Sequence, residues 1–133
     1  MSAWEPGSEL ETQRYAVRRA DLVRYAGASG DFNPIHWSDR VATSVGLPGV
    51  IAHGMYTMAL AARAVATWAP GAELVELGCK FTNPVVVPAD DEGVEVEVGG
   101  TVKGVTDGLT TIALTVTCGG QKVLGMPKAV LRA

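Results

Sequence analysis

Hydrophobic and polar residues alternate along the second half of the chain in the pattern of β-strands. One run reads Val94, Glu95, Val96, Glu97 and Val98. A period of two places alternate side chains on opposite faces of a sheet. The pattern predicts strands over 73–87, 93–105, 109–119 and 121–131, with a first strand over 12–19. Asp107-Gly108 and Gly119-Gly120 are typical of tight hairpin turns, so these strands are expected to be antiparallel.

The first half of the chain has helical signals instead. Helices are predicted over 20–30, with Asp21 as N-cap and Gly30 at the end, and over 38–46, between Ser38 and Gly46. The segment 55–68 is apolar on nearly all sides and therefore predicts a helix buried on most of its surface. An economical arrangement is an α+β fold in which an antiparallel sheet of about five strands wraps around this one long buried helix.

Composition limits the classes of function. The 133 residues fit a single domain, 1–133, and 47% of them are hydrophobic. A net charge of −3 gives no reason to expect nucleic-acid binding. The longest apolar segment, 55–68, is shorter than a membrane span and contains Arg63. Cys79 and Cys118 form no C-x-x-C pair, and no signal-like segment is evident, so a cytoplasmic protein with reduced thiols is expected.

The stretch SGDFNPIHW, residues 29–37, carries the first chemical signal. Its Gly, Asp, Asn and Pro are turn formers, so a simple turn is one interpretation. Asn33-Pro34, however, restricts the backbone between Asp31 and His36 and can bring the two ionisable groups to one point. Three apolar neighbours (Phe32, Ile35 and Trp37) predict partial desolvation of the pair. A carboxylate and an imidazole in such a place suit acid–base catalysis near neutral pH.

The second signal is IAHGM, residues 51–55, just before the long helix. The first N–H groups of a helix have no partner within it and lie at its positive end. Gly54 lets a ligand oxygen approach this backbone closely, which favours an oxyanion hole. The alternative is that His53-Gly54 only caps the helix. Together the two stretches indicate chemistry beside a carbonyl, with proton transfer by one segment and stabilisation of an enolate by the other.

The segments YAGASGDFNPIHWSDRVA (25–42) and GVIAHGMYTM (49–58) resemble the MaoC-like, or R-specific hydratase, family. Its hydratase signature is met by Tyr25, Ser29, Gly30, Asp31, Asn33, Pro34, Ile35, His36 and Ala42. Within the family, GDFNPIHW and VGLPGVIAHGMYTM are similar to the catalytic B subunits of the (3R)-hydroxyacyl-acyl carrier protein dehydratases of mycolic-acid-type fatty acid synthase II. The resemblance covers nearly the whole chain. A serine that some members carry in the central helix is absent here, where the sequence reads ALAARA.

The resemblance implies a hot-dog fold and a reversible dehydration of (3R)-3-hydroxyacyl thioesters to trans-2-enoyl thioesters. Asp31 and His36 are then catalytic, and the Gly54 N–H polarises the thioester carbonyl. Asn33 and His53 are expected to contribute to oxyanion or substrate binding. No cofactor or metal is expected, since the substrate arrives as a thioester of coenzyme A or acyl carrier protein. The expected assembly is a homodimer, or a heterodimer with a related hot-dog subunit.

Three other functions fit parts of this pattern. A non-catalytic hot-dog subunit can bind acyl thioesters beside an active partner, although the Asp-x-Asn-Pro-x-His residues should then be eroded, and here they are intact. Asp31, His36 and His53 form a possible metal triad. A hot-dog thioesterase usually lacks the Asn-Pro-x-His arrangement. The acyl length is open.

Overall fold

The computed structural model describes residues 4–133, which contain one antiparallel sheet and three α-helices. The helices are α1 (Arg19–Ser29), α2 (Asp39–Ser44) and α3 (Gly54–Trp68), and a short 3-10 helix covers Pro34–His36. The strands are β1 (Glu9–Val17), β2 (Glu73–Phe81), β3 (Val94–Thr106), β4 (Leu109–Cys118), β5 (Gln121–Lys122) and β6 (Leu124–Arg132).

The sheet has the order β1-β3-β4-β6-β2, and the short β5 pairs with β4. The β3–β4 hairpin turns at Asp107-Gly108, where Thr106 pairs with Leu109. Both turn residues have positive φ, 54° and 76°, which is the backbone of the twist-compatible hairpin turn. The predicted antiparallel pairing is therefore confirmed.

Helix α3 packs against strands from both ends of this order, β1 and β2, and also against β3. The sheet therefore wraps around the helix, as expected. Ala61 and Ala64 are fully buried, and their small side chains let the helix lie close to the sheet. The core on the sheet side is built from valines and other aliphatic residues: Val96, Val98, Ile112, Leu114 and Val116.

Burial of α3 is less complete than the sequence predicts. Met55, Ala59 and Arg63 repeat every four residues and lie on an exposed face of the helix. Periodicity alone did not reveal this face because alanine and methionine are apolar wherever they lie. Among residues 4–133, no helix is long and apolar enough to cross a membrane.

Two predicted strands and one predicted cap are corrected. Strand β2 ends at Phe81 rather than 87, since Pro84 cannot donate to a sheet. The segment 121–131 is divided into β5 and β6. Helix α1 begins at Arg19, and Asp21 lies inside its first turn, where its carboxylate accepts a hydrogen bond from the Arg18 N–H at 2.8 Å. The predicted ends at Gly30 and Ser38 are confirmed, since Gly30 adopts φ 77° and Ser38 caps α2.

Candidate active site

A chain of local hydrogen bonds holds the loop between α1 and the 3-10 helix in one conformation. The Ser29 hydroxyl accepts from the Asp31 N–H at 3.1 Å, and Asp31 Oδ1 accepts from the Asn33 N–H at 3.1 Å. Asn33 Oδ1 in turn accepts from the Ile35 N–H at 3.2 Å, and Pro34 begins the 3-10 helix with its fixed φ. These turn-forming residues thus place Asp31 with Oδ2 free of the loop's own bonds.

His36 ends the 3-10 helix, and its ring is buried, with 7% exposure. Its Nδ1 lies 2.7 Å from the Ile51 carbonyl oxygen. A carbonyl only accepts hydrogen bonds, so Nδ1 carries the proton in the neutral ring and Nε2 presents a lone pair. Nε2 lies 3.9 Å from Asp31 Oδ2, which is too long for a direct hydrogen bond and leaves the two groups facing a shared position.

The surroundings of this pair are more open than the sequence predicts. The Asp31 side chain is 52% exposed, and the neighbouring Phe32 and Trp37 are 62% and 52% exposed. The 3-10 helix turns these two aromatic side chains outward, and Trp37 Nε1 donates to the Phe32 carbonyl at 3.0 Å. Within this chain, the His36 imidazole is desolvated, whereas the Asp31 carboxylate is not.

Gly54 is the first residue of α3, directly after His53. The first hydrogen bonds to the His53 carbonyl come from Tyr56 and Thr57, at 3.0 and 3.2 Å. Within residues 4–133, the Gly54 N–H donates no hydrogen bond, which leaves it available to a ligand. A Cβ at Gly54 would lie 2.9 Å from the Phe81 ring, so any larger residue here would displace that ring.

His53 and Asn33 both make hydrogen bonds that hold the loop. His53 lines the cavity, and its Nε2 lies 3.1 Å from the Asp31 carbonyl oxygen, while its Nδ1 is enclosed without a partner among the described residues. Asn33 is not among the cavity-lining residues, and its side-chain oxygen is used by the loop. Their part in substrate binding stays a prediction.

The possible metal triad does come together. The ligand atoms of Asp31, His36 and His53 all lie within 4.8 Å of one another. However, His53 Nε2 and His36 Nδ1 each face a main-chain carbonyl oxygen. The ring nitrogens without a main-chain partner are therefore His36 Nε2 and the enclosed His53 Nδ1. These bonds favour an acid–base pair over a metal site.

A cavity of about 440 Å³ extends from this pair. Its polar wall contains Asp31, His36, His53, Gly54 and Thr57. The remaining lining residues, called the second wall, are Phe81 at the end of β2, 82–85, and Val123 and Leu124. The sequence analysis did not find Thr57 or the second wall. Thr57 is the one hydroxyl-bearing residue of α3 that lines the cavity, and it lies one turn after Gly54. A hydroxyl at this spacing could have been recognised in the sequence.

Comparison with known proteins identifies the family. The profile described as "MaoC like domain" matches residues 2–119. The chain belongs to the MaoC-like domain family. The hot-dog architecture is shared as well: a solved MaoC-like dehydratase superimposes with a TM-score of 0.92 at 36% identity, over 98% of this chain and 41% of the other.

Other relatives of this MaoC-like chain are named as dehydratases. It is 40% identical over 73 residues to "3-hydroxyacyl-thioester dehydratase X" of Mycobacterium tuberculosis. The aligned region covers 55% of this chain and 25% of that protein. The chain therefore spans about a quarter of the length of this curated relative. The fold also matches a chain of the "HadBC (3R-Hydroxyacyl-ACP Dehydratase) complex" of the same organism, with a TM-score of 0.72, 16% identity and 97% coverage of both chains.

Proposed function

We propose that this chain catalyses the reversible dehydration of (3R)-3-hydroxyacyl thioesters to trans-2-enoyl thioesters. The observation that carries the proposal is the acid–base pair, with Asp31 Oδ2 and His36 Nε2 free and 3.9 Å apart beside a cavity. A relative named 3-hydroxyacyl-thioester dehydratase supports the same chemistry. Asp31 and His36 are the proposed catalytic residues.

The proton balance of the reaction limits the protonation state of Asp31 and His36. Dehydration removes a proton from C2 and delivers one to the departing 3-hydroxyl group, so the C–O bond breaks and water leaves. The pair must therefore begin with one transferable proton and end with one, and hydration runs the same steps in reverse. A gap of 3.9 Å lets the leaving hydroxyl, or the attacking water, contact both groups at hydrogen-bond distance.

The thioester carbonyl is proposed to bind the Gly54 N–H. When C2 loses its proton, negative charge develops on this oxygen, and a donor already in place stabilises it without reorganisation. The Gly54 N–H has no partner among residues 4–133 and lies at the start of α3, where the helix dipole adds positive potential. The enolate form is thereby stabilised relative to the bound substrate.

The proposed reaction needs no redox cofactor, because water leaves and no electrons are transferred. The thioester carbonyl itself acidifies C2. The substrate is proposed to arrive as a thioester of coenzyme A or of acyl carrier protein. Both carriers place the reacting acyl carbons at the end of a long polar arm, which suits a cavity that opens to solvent beside a half-exposed carboxylate.

The assembly is proposed to be a homodimer, or a heterodimer with a related hot-dog subunit. Strand β2 pairs only with β6 within residues 4–133, and its other edge is open. Leu74 and Val75 on β2 are 36% and 43% exposed, and an open apolar edge invites pairing with another strand. Light scattering at micromolar concentration tests this, and a monomer would contradict it.

The function is tested by hydration of crotonyl-CoA and of longer enoyl-CoAs, using protein of known mass in solution. Loss of the enoyl absorbance and formation of the (3R)-hydroxyacyl product are expected, and the double variant Asp31→Asn/His36→Ala serves as the inactive control. A dimeric but inert protein would point to a missing catalytic partner or to an acyl-binding subunit. Activity that the double variant retains would refute the assigned site.

A further inference from the structure

His53 lies between the acid–base pair and α1, and its ring is only 2% exposed. It stacks on His36 with ring centroids 3.8 Å apart and an interplanar angle of 20°. On another side the Tyr25 ring meets it edge-on at 4.7 Å. The only two histidines of the chain are therefore in direct contact, and the second is enclosed behind the first.

Hydrogen bonding fixes the proton on the His53 ring. Nε2 lies 3.1 Å from the Asp31 carbonyl oxygen, which only accepts, so Nε2 must carry the proton. Nδ1 then holds a lone pair and is enclosed without a partner among residues 4–133. A second proton at Nδ1 would leave a buried N–H donor and a buried charge unsatisfied, which is far more costly than an unpaired acceptor.

The net effect of the surroundings favours a neutral ring. Burial is the main cause that lowers the His53 pKa below the usual 6.5, the bond to the Asp31 carbonyl opposes this shift, His36 adds to it, and the charge of the Asp31 carboxylate opposes it. The groups facing His53 are Tyr25 of α1, Asp31 of the loop and His36 of the 3-10 helix. Tyr56 of α3 lies behind Tyr25.

We infer that His53 is a positioning residue, held neutral and protonated at Nε2, which ties the Asp31 backbone to the start of α3 and supports the His36 ring by stacking. This inference rests on the proposed function. The single side chain contacts both members of the acid–base pair and directly precedes Gly54. It therefore fixes the distance between the proton-transfer groups and the proposed carbonyl donor, a distance to which catalysis is sensitive.

The first test needs no activity. Nuclear magnetic resonance of ring-nitrogen-labelled histidine gives signals from two residues, and His53→Gln assigns them. The expected result is that His53 keeps the Nε2-protonated neutral form between about pH 5 and 8, the range in which an ordinary histidine changes charge. Protonation of His53 within that range, or a proton at Nδ1, would overturn the inference even if the enzyme is active.

The second test compares two substitutions at His53, one that removes the hydrogen-bond donor and one that removes the ring. His53→Phe keeps a ring but removes the donor to Asp31, whereas His53→Gln keeps an N–H donor and removes the ring. We expect His53→Phe to lower kcat by about 10²-fold with KM little changed, which is the size of effect from a displacement of about 1 Å. His53→Gln should recover part of that loss.

The control is Thr110→Val, which alters a buried polar residue outside the cavity and should leave kcat unchanged. Full turnover in His53→Phe, no recovery in His53→Gln, or a rise in KM alone would overturn the positioning role. If His53→Phe does not fold, the resonance measurement on the wild-type protein still decides the ring's state. An inactive wild-type protein would count against the proposed function of this chain on its own and leave that measurement valid.

Discussion

The two walls of the cavity are built in different ways. Residues of the polar wall come from one continuous part of the chain, 25–57, and hydrogen bonds to main-chain atoms fix them, such as the one from His36 Nδ1 to the Ile51 carbonyl oxygen at 2.7 Å. The second wall combines 81–85 with Val123 and Leu124, joined by the pairing of Phe81 with Leu124. Directional bonds hold positions for chemistry, whereas packed apolar groups tolerate small changes of shape. Substitutions should therefore separate into effects on kcat and effects on KM.

The largest expected effect is on the polar wall. His36→Ala and Asp31→Asn should each lower kcat by at least about 10²-fold, because a positioned acid or base typically contributes 10²–10⁴-fold. Steady-state kinetics with one enoyl-CoA, together with circular dichroism to check folding, measures this. Asp107→Asn in the exposed β3–β4 turn is the matched control and should keep wild-type turnover. Near-wild-type turnover in either site variant would remove the pair from the mechanism.

Some residues of these walls could be predicted from the sequence and others could not. Asn33-Pro34 lies between Asp31 and His36, which are close in sequence, so its effect on the loop could be predicted. The same dipeptide at Asn83-Pro84 ends β2 early, but the valines after it continue an apolar run that looks like a strand. Their partners lie in the link before α3, where Val87 N–H donates to the Val50 carbonyl at 2.9 Å. That contact between distant segments has no local signal.

The next expected effect concerns Gly54. Gly54→Val should cost roughly 2.7–4 kcal/mol of transition-state stabilisation, the typical loss of one oxyanion donor, measured as the decrease in kcat/KM. Gly78→Val on β2 is the matched control, because a Cβ there meets nothing within 4 Å. Equal activity of Gly54→Val and wild type would place the carbonyl elsewhere.

Contact between Gly54 and Phe81 allows a sharper version of this test. The added Cβ of Gly54→Ala would press on the Phe81 ring at 2.9 Å, so activity could fall because the ring moves. Removing the ring in Gly54→Ala/Phe81→Ala separates the two causes. If kcat returns to the level of Phe81→Ala alone, the clash was responsible. If it does not, crowding of the approach to the N–H explains the loss, as the oxyanion proposal requires.

A smaller effect is expected on the second wall. Phe81 is 58% exposed, so Phe81→Ala should leave stability nearly intact while it removes apolar contact with the substrate. We expect KM to rise roughly fivefold, equivalent to about 1 kcal/mol of apolar burial, with kcat little changed. Val105→Ala, which is 52% exposed and outside the cavity, is the control. A fall in kcat alone would contradict the division between the two walls.

The smallest expected effect lies behind the polar wall, at Asp39 of α2. Its Oδ1 accepts from the Val50 N–H at 3.0 Å and from the Arg19 guanidinium at 2.9 Å. It thereby supports the link that carries Ile51, the acceptor for His36. The Val50 N–H first, and then Arg19, lower the pKa of Asp39 below 3.8. Folding therefore favours the ionised carboxylate.

The sign of the pH dependence follows from that shift. A carboxyl whose pKa is lower in the folded state stabilises the fold above its unfolded pKa, and this stabilisation is lost as pH falls through the folded pKa. Asp39→Asn should therefore lower Tm slightly near neutral pH, and its difference from wild type should begin to shrink below about pH 4 and vanish only below the lowered pKa of the folded state. Glu97→Gln, which alters an exposed ion pair with Arg14, should change Tm less. A difference in Tm that persists undiminished in acid would mean that Asp39 acts through packing rather than charge. The link that carries Ile51 would then be held in position by its backbone hydrogen bonds.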